Sequence, residues 1–257
     1  FIALIVIAFQ CSRRSQTDEG YFLAGRSMPG WVIGFSLMAT IVSSVTFLAI
    51  PAFAFSDSNW RRGLAAFTYI PAIVIAIHLF IPFYRSTRVN SAYEYLERRF
   101  GLWARLYAGG SFVLFHAFRT GLVLYAVSLA IQNILQTSQL SLPVIIITGG
   151  CLVSAYTIIG GLKAVIWTDV LQGIALIGGG LLCLPIIVSQ LPGGFTELFD
   201  VAIANNKFHL GDTTISLQGK TLWAYVFAEF MVFMQMLGTD QTNVQRYAAA
   251  KSNKEAR

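Results

Sequence analysis

The chain has 257 residues, of which 56% are hydrophobic and only 12% charged, with a formal net charge of +6 and a positive mean hydropathy. Soluble domains carry about 25% charged residues, so a single water-facing globule is excluded and lipid must cover much of the surface. Three cysteines, Cys11, Cys151 and Cys183, show no metal-type spacing, and two of them lie in apolar runs, where cysteine serves as a small hydrophobe.

In chain order, the opening run 1–9 is apolar but shorter than the roughly 20 helical residues that span hydrocarbon. It reads as the tail of a helix that starts before residue 1, and the chain as a fragment. Six further apolar stretches follow, at 31–55, 64–84, 107–135, 141–159, 165–188 and 222–237. They are continuously apolar and do not alternate, which predicts helices and excludes a transmembrane barrel. The predicted domain is a single truncated transmembrane unit, 1–257, with about seven segments, the first partial.

Lysine and arginine set the orientation. Thirteen of them fall after the first, third, fifth and seventh segments: Arg13, Arg14, Arg26, Arg85, Arg88, Arg98, Arg99, Arg105, Lys163, Arg246, Lys251, Lys254 and Arg257. Only Arg61, Arg62, Lys207 and Lys220 fall on the opposite side. The first set is assigned to the cytoplasm, and the basic excess belongs to membrane topology, not to nucleic acid. In the long external stretch 189–220, Phe195, Leu198, Phe199, Ala202 and Ile203 recur at helical spacing, predicting a short interfacial helix that packs the loop. Pro51, Pro71, Pro82, Pro143 and Pro185 fall within or beside spans, where proline is commoner than in soluble helices.

Several polar residues sit where lipid-spanning segments do not normally carry them. Thr40, Ser43, Ser44 and Thr46 cluster at the middle of 31–55, ahead of Pro51. Such hydroxyls can back-bond to the preceding turn. They can also let the helix unwind and free carbonyls for a hard cation such as Na⁺. Arg119 lies near the middle of 107–135, where an arginine costs roughly 2.5–3.5 kcal/mol unless it meets a partner or a cavity. Its fork suits a carboxylate, either that of a ligand or an intramembrane acid such as Glu229. His116 precedes it by three residues and reads as a satisfied core histidine. Asp169 begins the sixth segment, as a helix-start acid stabilised by the macrodipole or as a cation ligand, with Thr168 and Gln172 as neighbouring oxygens. His78 has no assignable role.

Four strings resemble the sodium/solute symporter family: Gly20-Tyr21-Phe22-Leu23-Ala24-Gly25-Arg26, Ser91-Ala92-Tyr93-Glu94-Tyr95-Leu96, Gly160-Gly161-Leu162-Lys163-Ala164-Val165-Ile166-Trp167-Thr168-Asp169, and Gly238-Thr239-Asp240-Gln241-Thr242-Asn243-Val244-Gln245-Arg246-Tyr247. The resemblance implies an all-α, inverted-repeat (leucine-transporter-like) symporter fold, with solute and ions held between the repeats at midplane. It further implies that this chain carries the leading extra helix, the first repeat and the first helix of the second.

Carried over position by position, the resemblance implies a sodium site using the backbone carbonyls of Ala39 and Val42, and a second sodium site using Asp169. It implies solute contacts from Ser43, Thr46 and Arg119, as in sialic-acid-type members. Those members have Thr where this chain has Ile41. Sugar-type members have Gln at the Thr46 position and a gating Tyr at the Met236 position, and neither is present. An anionic solute, a sialic acid or a smaller organic acid, is therefore expected, taken up with Na⁺ by alternating access across the cell membrane. A transporter-like sensor ahead of a signalling domain, or a symporter of a neutral solute, are the alternatives. An enzyme is not expected, since the chain has no His-Glu-x-x-His and no convincing Ser–His pair.

Overall fold

The computed structural model describes residues 2–12, 17–42, 44–56, 60–87, 89, 91–135 and 141–256. Among the sites and topology markers expected from sequence, Ser43, Arg13, Arg14, Arg88 and Arg257 lie outside these residues. In chain order the helices are α1 (Ile2–Ser12), α2 (Asp18–Leu23), α3 (Gly30–Ile41), α4 (Ser44–Ser56), α5 (Arg61–Ala66), α6 (Tyr69–Ile75) and α7 (Ile81–Thr87). They continue with α8 (Ala92–Phe100), α9 (Leu102–Leu135), α10 (Leu142–Ser189), α11 (Gly194–Ala204), α12 (Leu222–Gly238), α13 (Gln241–Ala249) and α14 (Asn253–Ala256). No strand occurs among the described residues.

Among the described residues, length and apolarity qualify three stretches to cross a bilayer: Arg61–Thr87, Leu102–Leu135 and Leu142–Ser189. The first of these runs through α5, α6, a π-helical turn at Ala76–Phe80, and α7. In α9 only 6% of the most apolar window is buried within the chain, so that surface must face lipid or further protein.

The 48 residues of α10 hold two of the expected segments. They are separated at Gly161, whose φ of 60° and ψ of −167° interrupt the helix. That conformation is essentially open to glycine alone. The site is also crowded, because a Cβ there would lie 2.9 Å from Tyr21 Cδ2 and 3.0 Å from the Tyr21 carbonyl oxygen.

Side chains mark several helix starts. Ser91 accepts the Glu94 amide at 3.1 Å, placing Ser and Glu at the spacing of a capping box. Thr17, Thr221 and Asp240 cap α2, α12 and α13 in the same manner. In α8, Glu94 and Arg98 pair one turn apart at 2.5 Å.

The chain forms two compact units. The first comprises Phe1–Thr46, Ile81–Gly173 and Asp240–Arg257, and the second Phe47–Phe80 and Ile174–Thr239. In the first, Cys11, Tyr156 and Ala164 form a buried cluster with Leu4, Ile7, Leu152 and Trp167 packed around it, consistent with Cys11 as a small hydrophobe.

In the second unit, Ala72, Ala76 and Leu237 form the buried cluster, flanked by Phe80, Phe230 and Phe233. Gly238 is needed there because the Phe80 ring lies 2.7 Å from where its Cβ would sit. The helix expected in the external stretch is present as α11. Its Phe199 stacks on Phe208 (6.1 Å between centroids), and Phe208 stacks on Trp60 (5.8 Å).

Replacing Gly161 with alanine is expected to cost about 1–3 kcal/mol from backbone strain alone, with the Tyr21 clash added. The check is the thermal unfolding midpoint of the detergent-purified protein. An unchanged midpoint would show that the α10 break tolerates a side chain.

Candidate functional site

Asp169, Arg246, Ser36 and Thr40 form a polar knot inside the first unit. Asp169 Oδ2 accepts a hydrogen bond from Ser36 Oγ at 2.6 Å and another from an Arg246 terminal nitrogen at 2.7 Å. Arg246 Nε donates to Ser36 Oγ at 2.8 Å, and the same terminal nitrogen donates to Thr40 Oγ1 at 2.9 Å. Its other terminal nitrogen donates to the Thr242 carbonyl at 2.8 Å. The Arg246 side chain is 4% exposed and that of Asp169 17%. A charge pair this dry is tolerable only with its remaining donors and lone pairs occupied, and the two hydroxyls supply that.

The local reasons are legible in the elements. Ser36 and Thr40 stand one turn apart on one face of α3, and Thr40 also donates back to the Ser36 carbonyl at 2.8 Å. Arg246 occupies the last turn of α13, where a cation complements the helix dipole. Gly173, one turn after Asp169, lets α10 approach α3 closely, since a Cβ there would come within 3.2 Å of the Ala39 Cβ. Ala39 therefore faces the same α3–α10 seam as Asp169.

Immediately beyond the knot the helix breaks. α3 ends at Ile41, Val42 adopts extended backbone (φ −82°, ψ 95°), and α4 begins at Ser44. The amide of Val42 still donates to the Met38 carbonyl at 2.9 Å. The last carbonyls of a helix have no intrahelical donor, so the backbone oxygens around Ala39–Val42 are hard donors suited to a hard cation. Thr46 is half-buried just after the break.

Arg119 is half-buried on α9 and makes no hydrogen bond or ion pair with the described residues. Its possible acidic partner Glu229 is engaged elsewhere, 3.5 Å from Arg62. The His116 Nε2 is buried without a hydrogen bond to any described residue but lies 3.4 Å from Asp240 Oδ2, where an ion pair forms only if the imidazole is protonated. The satisfied histidine expected at this position is thus not what the structure shows. The His116 ring packs instead against Phe112, 4.1 Å between centroids. Across from it on α8, burial and then the Asp240 and Tyr84 side chains push the Tyr93 phenol up to about 12, so it stays protonated.

All four sequence strings meet around this knot. Asp169 joins the third to the fourth through Arg246, and Gln241 Oε1 accepts the Ala92 amide of the second at 2.9 Å. Gln245 donates to the Phe22 carbonyl of the first at 2.6 Å, and the Tyr21 hydroxyl donates to the Ile158 carbonyl at 2.9 Å. The sequence reading placed Arg246 in a basic loop and in the fourth string without giving it a role, and did not single out Ser36. The available signal was the i, i+4 spacing of Ser36 and Thr40 on an otherwise apolar helix.

This arrangement belongs to a recognisable class of membrane protein. Residues 21–257 match the sodium:solute symporter family, and the chain belongs to that family. It is a multi-pass membrane protein with the inverted-repeat, leucine-transporter-like fold. Among its relatives, the sodium/sialic acid symporter SiaT of Proteus mirabilis is 33% identical over 97% of this chain and 48% of its own length. The sodium/sialic acid symporter NanT of Aliivibrio fischeri is 35% identical over 95% of this chain and 48% of its own.

The human sodium-coupled monocarboxylate transporter 1 is 32% identical over 94% of this chain and 39% of its own. A solved structure, the substrate-bound outward-open state of a Na⁺-coupled sialic acid symporter, superposes with a TM-score of 0.90 at 34% identity, covering 99% of this chain and 52% of that one. The chain thus spans about half the length of the relatives it matches.

Removing the Arg246 guanidinium would strand the Asp169 carboxylate. Arg246→Ala is expected to destabilise the protein by about 3–5 kcal/mol, with part recovered in the double variant carrying Asp169→Asn. Denaturant unfolding of the four proteins of that cycle measures the coupling. Additive single effects would mean that the pair does not hold the knot.

Proposed function

We propose that the whole protein is a Na⁺-coupled symporter of a small carboxylate solute, a sialic acid or a smaller organic acid, at the cell membrane. The observation that carries this reading is the helix break at Val42, on the helix whose Ser36 holds Asp169 and ahead of Thr46, in a chain whose relatives include sodium/sialic acid symporters and a sodium-coupled monocarboxylate transporter.

In this reading the carbonyls of Ala39 and Val42 contribute to one sodium site and Asp169 to a second. Ser43, Thr46 and Arg119 contact the solute. Arg119 suits the role because a half-buried guanidinium with no acidic partner among the described residues retains its full fork for a carboxylate. Asp169 suits a cation site differently. It already holds one cation, the Arg246 guanidinium at 2.7 Å, so Na⁺ and Arg246 would share its charge. Ion occupancy would then be felt directly at the knot that fastens α3, α10 and α13.

Coupling follows from alternating access. Sodium would order the broken stretch, the solute would fill the adjoining cavity, and each Na⁺ moving down the potential contributes about 2.3 kcal/mol per 100 mV. The organic anion is favoured over sugar by Thr46 and Met236, which stand where sugar-type members carry Gln and Tyr.

The test is uptake of radiolabelled sialic acid by the full-length protein in proteoliposomes, with and without a sodium gradient. Uptake is expected only with sodium. Losing one member of a buried, hydrogen-bonded charge pair costs about 2–5 kcal/mol, so Arg119→Ala should raise the apparent KM roughly thirtyfold or more. Sodium-independent uptake would sink the coupling, and an unaffected KM in the variant would sink the carboxylate clamp.

A further inference from the structure

A cavity of about 300 Å³ lies wholly within the second unit, separate from the residues assigned above, all of which belong to the first. Its walls include Ile50 and Phe53 of α4, Trp60, Arg62 of α5, and Tyr225 of α12. That volume is at the small end of ligand sites, and the mix of mainly apolar walls with one charged group is what such sites use. Among the described residues, the three ring-bearing walls are accompanied by a single lining cation and no lining acid.

Arg62 is held but not saturated. Its guanidinium carbon sits 5.1 Å over the Phe53 ring centroid, and its Nε lies 3.5 Å from Glu229 Oε1. No hydrogen bond joins it to any described residue, and its side chain is 43% exposed. An arginine carries five N–H donors in a planar fork. Here the ring and one loosely spaced carboxylate position that fork and, among the described residues, leave its donors without a hydrogen-bond acceptor.

The neighbouring Arg61 fixes the opposite wall. It is buried, donates to the Lys220 carbonyl, and lies 5.4 Å over the Tyr225 ring, which faces the cavity. The aromatic wall is therefore braced from behind by a second guanidinium.

We infer that this cavity is a second binding site, specific for a small carboxylate with an apolar or aromatic body. Arg62 takes the carboxylate, while Phe53, Trp60 and Tyr225 flank the body. Glu229 competes for the same guanidinium, which keeps the site weak and readily exchanging. Resting on the symport reading, the cavity would lie on the side that the lysine and arginine distribution assigns to the exterior, where it would take an anion of the same carboxylate class.

The experiment is a benzoate titration of the purified full-length protein, followed by tryptophan fluorescence, with Trp60→Phe identifying the Trp60 component. Saturable quenching of Trp60 is expected in the wild type and equally in Arg119→Ala. Arg62→Gln should weaken it at least tenfold, and Glu229→Gln, which removes the competing carboxylate, should tighten it several-fold. The opposite signs of the last two variants separate binding from a general loss of fold.

Absence of a Trp60 component, undiminished binding in Arg62→Gln, or loss of binding in Arg119→Ala would each overturn the second site. The same titration read beside sialic acid uptake separates the two proposals. Benzoate binding without uptake keeps this site and rejects the transport reading, whereas uptake without benzoate binding does the reverse.

Discussion

A single buried guanidinium organises the first unit. Arg246 brings a full positive charge into a region from which water is excluded, and besides the Thr242 carbonyl of its own helix the cost of that desolvation is offset by a carboxylate and two hydroxyls placed around it. The three groups come from α3 and α10, and the arginine from α13. None of these helices can shift without leaving a charge or a hydroxyl unpaired. The ion pair thus acts as a registry device, setting which turn of α3 faces which turn of α10. Gly173 permits the close approach that this register demands.

Strained backbone around the knot is tolerable for the same reason. Ala24, Gly25 and Arg26 all have positive φ, of 52°, 62° and 50°. Non-glycine residues in that region cost roughly 1–3 kcal/mol each and persist only when their surroundings over-determine them. Here Gln245 holds the Phe22 carbonyl, Glu19 pairs with Arg26 at 2.9 Å, and Ser27 donates to the Ala24 carbonyl at 2.9 Å. Polar contacts at this end of the unit do what hydrophobic burial does elsewhere. An antiparallel reading of the same economy appears in α3, where Ser36 and Thr40 are committed to Arg246 while the chain just beyond them leaves helical geometry. The hydroxyls before the break are thus committed to holding the knot, while the helix itself ends at Ile41.

The second unit handles its arginines differently. Arg61 and Arg62 lie at the start of a long apolar stretch and find aromatic faces, Tyr225 and Phe53, in place of full hydrogen-bonded cages. Rings attract a guanidinium without demanding that it be dry. Glu229, half-buried in an otherwise apolar helix, is paired with the loosely spaced Arg62 and not with the midspan arginine of α9 that its isolation in the sequence suggested. Aromatic packing continues outward through Trp60, Phe208 and Phe199, which gives α11 a packing role.

How much of this was legible beforehand depends on how local each determinant is. Apolar runs and prolines are properties of adjacent residues, and they were enough to specify helices, their approximate bounds and a membrane setting, while the hydroxyl cluster ahead of Pro51 left back-bonding and local unwinding both open. The four strings identified a family because each has a fixed internal spacing. What they are for was not legible, since their partners lie far apart in the chain. Arg246 meets Ser36 across 210 positions, Thr40 across 206 and Asp169 across 77.

No periodicity records such pairings. An acid at a helix start looks the same whether it faces a helix dipole, a sodium ion or an arginine, and an arginine in a basic loop looks the same whether it is solvated or buried. The sequence by itself determined which segments leave water, because transfer free energy sums over neighbouring side chains. Only the tertiary structure decided which charges meet, because the energy of a charge depends on what surrounds it in space and on how dry that space is.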